Sequence, residues 1–325
     1  VSAMKGSAGE WLLDPYNITI GNSTGTISEQ TDPIGGGRLF ESSASASRVD
    51  VDDIRTALGS SSDVRILTGT GNPSEGGNIT WESGAALDYS STGSNSSGNL
   101  TLDAAGYIQL NSNITTGSGG LTLKAGTGFV EAASGVTLAL GGPLEVSTGD
   151  TTIGTTGNSS PELAATLTGS GDLTKTGNGR LILSGSSSTW SGNTDVQGGS
   201  LRVIGANALG TAAATKVQSG AKLEVAGGIS LAENIELWGG TLTNWSGDNT
   251  VSRQVLLRQS SSVDVQQDSL TFSPSSGTAV AVDPASSAYN ANLTLAGAGD
   301  LVVDGVLNLK DGQSTATYGD FLQTG

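Results

Sequence analysis

The sequence predicts an all-β parallel β-helix, a β-solenoid with a less regular N-terminal part carrying one short helix, and three observations predict it. An apolar-x-apolar dyad recurs along the chain, as in Leu100-Thr-Leu102, Leu121-Thr-Leu123, Leu181-Ile-Leu183, Leu201-Arg-Val203, Leu223-Glu-Val225 and Leu293-Thr-Leu295. Gly, Asn or Asp turns separate the dyads. In the clearest stretch Leu100, Leu121 and Leu144 fall a little over twenty residues apart, the length of a three-sided coil. Alternation with period two puts each dyad on one face of a strand. Strands this short cannot each bury a private core, so successive coils must cover one another.

Residues 1–92 are the irregular part. Trp11-Leu-Leu-Asp-Pro15 and Asn17-Ile-Thr-Ile20 predict two strands around a turn, because Pro fixes its own φ and biases the preceding residue away from helix. Ser28–Ser47, with Gly35-Gly-Gly37 and Ser/Ala runs, predicts an exposed loop. Asp52–Leu58 predicts a short helix, acidic at its start and stopped by Gly59. Asp63-Val-Arg-Ile-Leu67 returns to strand. Residues 93–160 show the coil repeat most clearly, and 161–325 continue it, all in one continuous solenoid. About thirteen to sixteen coils at ~4.8 Å each predict a rod of about 60–80 Å. Leu102, Leu183 and Val225 are expected to face inward, where a charge would disrupt neighbouring coils.

Composition restricts function. The 325 residues include 50 Gly, 7 Pro, no Cys and no His, with a net charge of −16 and a pI near 4.1. Only 14 Lys and Arg are present and none cluster, which argues against nucleic acid or an anionic membrane as partner. No run approaches the ~18 apolar residues of a membrane-spanning helix. Val1–Glu10 lacks the apolar core of a signal peptide, so a removed signal or an interior piece of a longer protein is expected. Absence of Cys suits an intracellular enzyme without thiol chemistry or an exported chain whose passage through a pore disulfides would obstruct. Absence of His removes the commonest general acid/base and metal ligand.

Two segments carry resemblances. The order Trp11-Leu-Leu-Asp-Pro-Tyr-Asn-Ile-Thr-Ile20, a helix ending Ala57-Leu58, Asp63-Val-Arg-Ile-Leu-Thr-Gly69, Gly77-Asn-Ile-Thr-Trp81, Leu100-Thr-Leu-Asp-Ala-Ala105 and Ile108-Gln-Leu-Asn111 resembles the interior of filamentous-haemagglutinin-type large exoproteins. It covers roughly residues 9–145, without the Asn-Pro-Asn signatures of the secretion domain. That resemblance implies a right-handed parallel β-helix in a bacterial surface adhesin exported through an outer-membrane pore. Leu173-Thr-Lys175-Thr-Gly177-Asn-Gly179-Arg-Leu181-Ile-Leu183, Trp190-Ser-Gly192-Asn-Thr194-Asp-Val196 and Gly199-Ser-Leu201-Arg-Val203 resemble the autotransporter-associated β-strand repeat of passenger domains. It implies a β-helical passenger whose repeats are linked to transport.

Chemistry is sparse. Asn193-Thr-Asp195 and Asp52-Asp53 echo galacturonan-hydrolase motifs, but in reversed order and without His. Asp50 with Asp52, and Asp300 with Asp304, are carboxylate neighbours of the kind thirty acidic residues produce by chance. Asp50, Asp52 and Asp53 lack the spacing of a Ca²⁺ loop. Thr151-Thr152 and Thr155-Thr156 show no coil register, as an ice-binding face would need, and chance supplies most of the Asn-x-Ser/Thr triplets in a chain this rich in Asn, Ser and Thr. Trp238 and Trp245, flanking Gly239-Gly240, are the candidate ligand-binding residues, since an indole face stacks on a sugar; the competing role is stapling neighbouring coils. The expectation is a secreted or cell-surface bacterial adhesin fragment, with no catalytic residues, cofactor or metal. Its partners would be a host-surface or matrix glycan or protein and, during export, an outer-membrane translocator pore, with no nucleic acid and no membrane insertion. The alternatives are a polysaccharide lyase or hydrolase on the same scaffold, or a ligand-free spacer.

Overall fold

A computed structural model describes residues 17–27, 29–33, 36–42, 47–60, 62–68, 76–90, 97–149, 162–185, 189–211, 214–275, 277–282, 291–309 and 322–323. Trp11–Pro15 and the Thr151–Thr156 pairs lie outside the described residues.

Most coils present three short strands to three faces. In one of them Leu100–Ala104, Ile108–Leu110 and Ile114–Thr115 follow in turn, and the next coil sets Leu121–Ala125 parallel on the first, Leu121 opposite Leu100. Alternation does the sorting: Leu100, Leu102 and Ala104 are buried while Thr101 and Asp103 point outward. The long face holds 13 strands, of which Gln30–Thr31 alone is antiparallel to its neighbour. A second face is built of 5-stranded and 6-stranded sheets, joined by Leu163 bridging Ala132 below and Leu183 above. A third holds a 4-stranded and a 5-stranded sheet. Between these two the wall is irregular, continued by Ser191 N–H to Gly169 C=O and Thr211 N–H to Trp190 C=O. One contiguous apolar cluster runs through the interior, with Leu102, Leu183 and Val225 all at 1 % exposure or less. This is the parallel β-helix that the dyads imply. The parallel strands of the long face span about 50–60 Å at the usual strand spacing, shorter than the expected rod because long turns consume more chain per coil.

The N-terminal stretch departs from expectation. Among the described residues of Ser28–Ser47, where an exposed loop is expected, Gln30–Thr31 and Arg38–Glu41 form a hairpin whose second strand pairs with Val64–Leu67. Phe40 is 1 % exposed, its single apolar pair too short to signal a strand between Gly and Ser. The expected helix is there as Val51–Gly59, its first turn capped by the Asp50 carboxylate accepting from Asp52 N–H at 3.0 Å. The carboxylate neighbours Asp50 and Asp52 are thus split between the end of a strand and the first turn of a helix. Ile18–Gly21 sits out of sequence order, wedged between Ser47–Asp50 and Ile79–Trp81 on the second face.

Corners repeat as regularly as strands. At the corner leading into the long face, Asp63 Oδ1 accepts from Asn99 N–H at 2.9 Å and Asn99 Oδ1 from Gly120 N–H at 2.8 Å. Farther up the same corner Asp172 Oδ1 accepts from Asn193 N–H at 2.7 Å. Beside them Gly119, Gly142, Gly171 and Gly192 stack so closely that a Cβ on any would strike the backbone carbonyl of the glycine one coil below.

Candidate functional site

Trp238 and Trp245 both flank the Gly239-Gly240 turn in sequence, yet they stand on different faces. Trp238 ends Ile235–Trp238 on the long face, and Trp245 lies near the far end of Thr241–Ser246 on the second. Both are half-buried. Each leans on an arginine.

At Trp238, the indole N–H donates to Glu236 Oε2 at 3.1 Å. Arg258 donates to Glu236 Oε1 at 2.8 Å, and its Cζ lies 5.6 Å from the indole centroid. A bulge above Leu237 lets it reach, since Trp238 pairs with Gln259 and leaves Arg258 as the extra residue. Burial pushes the Glu236 carboxyl up, but the bonds from Arg258 and Trp238 outweigh it and hold it below the usual carboxylate range.

Trp245 belongs to a larger cluster. It is itself the extra residue of a bulge, with Val225 opposite Asn244 and Ala226 opposite Ser246. Arg202 and Glu224 face each other across adjacent strands, one coil apart at the outward position of their dyads. Arg202 Nε donates to Glu224 Oε2 at 2.8 Å; Arg180 Nε and Nη2 donate to Oε2 and Oε1 at 3.0 and 3.1 Å. The Trp245 ring lies over both guanidiniums, 4.0 Å from Arg202 Cζ and 5.1 Å from that of Arg180. Arg202 is 6 % exposed and Glu224 2 %, low values for outward positions of a solenoid wall. Burial pushes Glu224 up, and the two arginines more than reverse it. Four successive coils are tied together here. Neither arginine nor Glu224 stood among the sequence candidates, although Leu201-Arg-Val203 and Leu223-Glu-Val225 set opposite charges at the same coil position.

The motifs with enzymatic echoes have structural occupations. Thr194 is fully buried, Asn193 N–H is held by Asp172, and Asp195 accepts from Gln197 and Gln218. Asp52 and Asp53 belong to the helix, and Asp304 accepts from Ser273 Oγ. A cleft of about 640 Å³ opens where three coils turn from the second to the third face, lined by Thr80, Glu82, Asn111, Asn113, Ser134 and Val136 among others. Among the described residues Glu82 is the one carboxylate lining it and is ion-paired to Arg48 at 2.6 Å, whereas glycoside hydrolysis calls for two that converge. Among the described residues no group of three or more His, Cys, Asp or Glu is placed to hold a metal ion. None of their helices is long and apolar enough to cross a membrane.

The fold and these clusters define a parallel β-helix of stacked coils, closed at its corners by Gly and Asn. More specifically, residues 173–203 match the passenger-associated-transport-repeat family. The chain has no match among curated proteins or among solved structures. The matched segment spans Leu173–Thr176, Arg180–Leu183, Thr194–Val196 and Ser200–Val203, two consecutive rungs on each of two faces.

Its distinctive residues have physical reasons in the coil. Lys175 points inward and is fully buried, its ammonium donating to the carbonyls of Thr176 at 2.5 Å, Gly177 at 3.3 Å and Gly198 at 3.2 Å. Burial lowers its pKa to about 8. Trp190 is fully buried with Nε1 donating to Gly171 C=O. Gly177 takes φ 74° at the turn, which an L side chain rarely adopts.

Proposed function

We propose that this chain is a stretch of a secreted or surface-displayed bacterial adhesin, a β-helical stalk that extends outward and engages a host-surface or matrix glycan or protein through many weak lateral contacts. The observation that carries the reading is the transport repeat at 173–203, which forms rungs of the solenoid and not an appended module. In this reading residues 93–160 are haemagglutinin-like coils, 161–325 are transport-repeat coils of the same body, and export passes through an outer-membrane translocator pore. A chain without cysteine suits such a passage. Half-buried tryptophans backed by arginines and a shallow polar corner cleft supply modest contacts, and repetition along a rigid rod turns modest contacts into avidity.

The test compares beads densely coated with the purified chain against the free monomer, on cultured epithelial cells and a glycan array. A bead coated with a protein of matched net charge is the control. The expected result is adhesion of coated beads about 10²-fold or more above the monomer. Coated beads that adhere no better than the charge-matched control overturn the adhesin reading. Turnover of a polysaccharide by the chain favours the enzyme.

A further inference from the structure

The second face carries a concentration of positive charge out of keeping with a chain of net charge −16. Arg180, Ser200 and Lys222 occupy one register position on three successive coils, and Arg202 and Glu224 occupy the position two residues on. Two arginines thus engage one carboxylate, and Lys222 adds a third cation two residues from it on the same strand. Glu224 is fully engaged by the two arginines, while Lys222 is exposed and makes no ion pair among the described residues. Arg202 Nη2 is buried without a hydrogen-bond partner, on a side chain more than nine-tenths buried. The next acidic residue up the Arg202–Glu224 column, Asp264, stands two coils above Glu224 and accepts from Gln266.

Trp245 completes the patch. One face of its indole is taken up by Arg202 at 4.0 Å, so its remaining exposure belongs to the opposite face and the edges. The guanidinium also fixes the ring, which removes most of the rotamer entropy that a free surface tryptophan loses on binding. A fixed aromatic plane backed on its inner face by two buried guanidiniums, with the exposed Lys222 on the neighbouring strand, matches a pyranose ring bearing a carboxylate or sulfate: apolar C–H face on the indole, anion toward Lys222.

We propose that Lys222 and Trp245, with Arg180 and Arg202 backing the ring, form a binding site for an acidic sugar unit of a glycan chain. The site rests on the glycan-adhesin reading and sharpens it, giving Trp245 a ligand class and leaving Trp238 outside. Lys222 is the residue that meets the anion directly, because it alone of the three cations is exposed.

The experiment is titration calorimetry with the full chain and three probes of equal length: a galacturonate tetrasaccharide, a heparin-derived sulfated tetrasaccharide and neutral cellotetraose. Binding of at least one acidic probe without cellotetraose binding is expected, the two acidic arms separating carboxylate from sulfate. Lys222→Glu should weaken it about tenfold or more, while Lys216→Glu, the same charge change on the long face, leaves it unaltered. Trp245→Ala is read alongside, with circular dichroism confirming the fold. No acidic binding at millimolar ligand, equal binding of cellotetraose, or an unchanged Lys222→Glu variant overturns the site. Bead adhesion that persists without acidic-sugar binding overturns the site alone. Acidic-sugar binding without bead adhesion overturns the adhesin reading alone.

Discussion

Two buried ionisable residues, Lys175 and Glu233, set the chain's response to pH in opposite directions. Glu233 is 2 % exposed, its Oε2 has no partner, and burial raises its pKa to about 8 from a usual 4.5. The folded state therefore binds this proton more tightly than the unfolded one. Its contribution to stability is complete below about pH 4.5 and is lost as pH climbs to about 8. Glu233→Gln, neutral throughout, should flatten that decline and leave the variant more stable above pH 8 by about 3–5 kcal/mol. Lys175 runs the other way. Its pKa falls from 10.5 to about 8 on folding, so the penalty for burying its ammonium is full below pH 8 and vanishes by 10.5. Native stability should rise across that window, and Lys175→Met should abolish the rise. Hydrogen exchange of Val196 and Val217 for the lysine, and of Ile235 and Val255 for the glutamate, measured from pH 5 to 10, checks both local slopes. Parallel pH slopes in parent and variant would refute either assignment.

At the scale of elements, what governs legibility is the range over which a pattern must be seen. Strands such as Leu121–Ala125 and Leu144–Thr148 were legible because alternation needs five adjacent residues, and the helix Val51–Gly59 because acidic start and Gly stop are local. Arg38–Glu41 was missed because its partner, Val64–Leu67, is what makes it a strand. The wedge of Ile18–Gly21 between two later strands leaves no local trace at all. For the candidate site, the two tryptophans were named from the sequence, but their separation onto two faces follows from the corner at Gly239-Gly240, and what each ring reaches depends on two bulges that alternation does not encode. The glycine corner is intermediate: Gly142, Gly171 and Gly192 precede long-face strands, yet their crowding appears only when coils are stacked. That crowding makes a prediction. Gly171→Ala drives a Cβ into the Gly142 carbonyl, and Gly171 C=O also receives the Trp190 indole, so the corner has no room to yield. A loss of about 2–4 kcal/mol is expected, read as faster hydrogen exchange in Leu144–Thr148 and Leu173–Thr176. Unchanged exchange there would mean the corner relaxes freely.

For the molecule as a whole, the question is how far damage travels. In a compact globule every core residue shares neighbours with most others, whereas here each coil touches only the coil below and the coil above. The interior is one continuous apolar cluster, but its connectivity is linear. Stability should then be a sum of coil terms and nearest-neighbour terms, with the Arg180–Arg202–Glu224–Trp245 cluster as a local exception that spans four coils. Additivity measures this. Leu201 and Leu223 are both fully buried and directly paired on adjacent coils, so Leu201→Ala and Leu223→Ala empty one shared space. Each alone should cost about 2–4 kcal/mol, and the double variant should depart from their sum by about 0.5–2 kcal/mol. Leu102 is equally buried but lies several coils away, and Leu102→Ala combined with Leu201→Ala should be additive within about 0.5 kcal/mol. Hydrogen exchange is the appropriate measurement, because a linear array opens in segments and a single melting temperature averages over them. Strong coupling between the distant pair would show that the rod folds as one cooperative block. A rod that fails locally, by contrast, keeps most of its lateral surface when one coil opens, which is what the proposed adhesion by many weak contacts would demand of its scaffold.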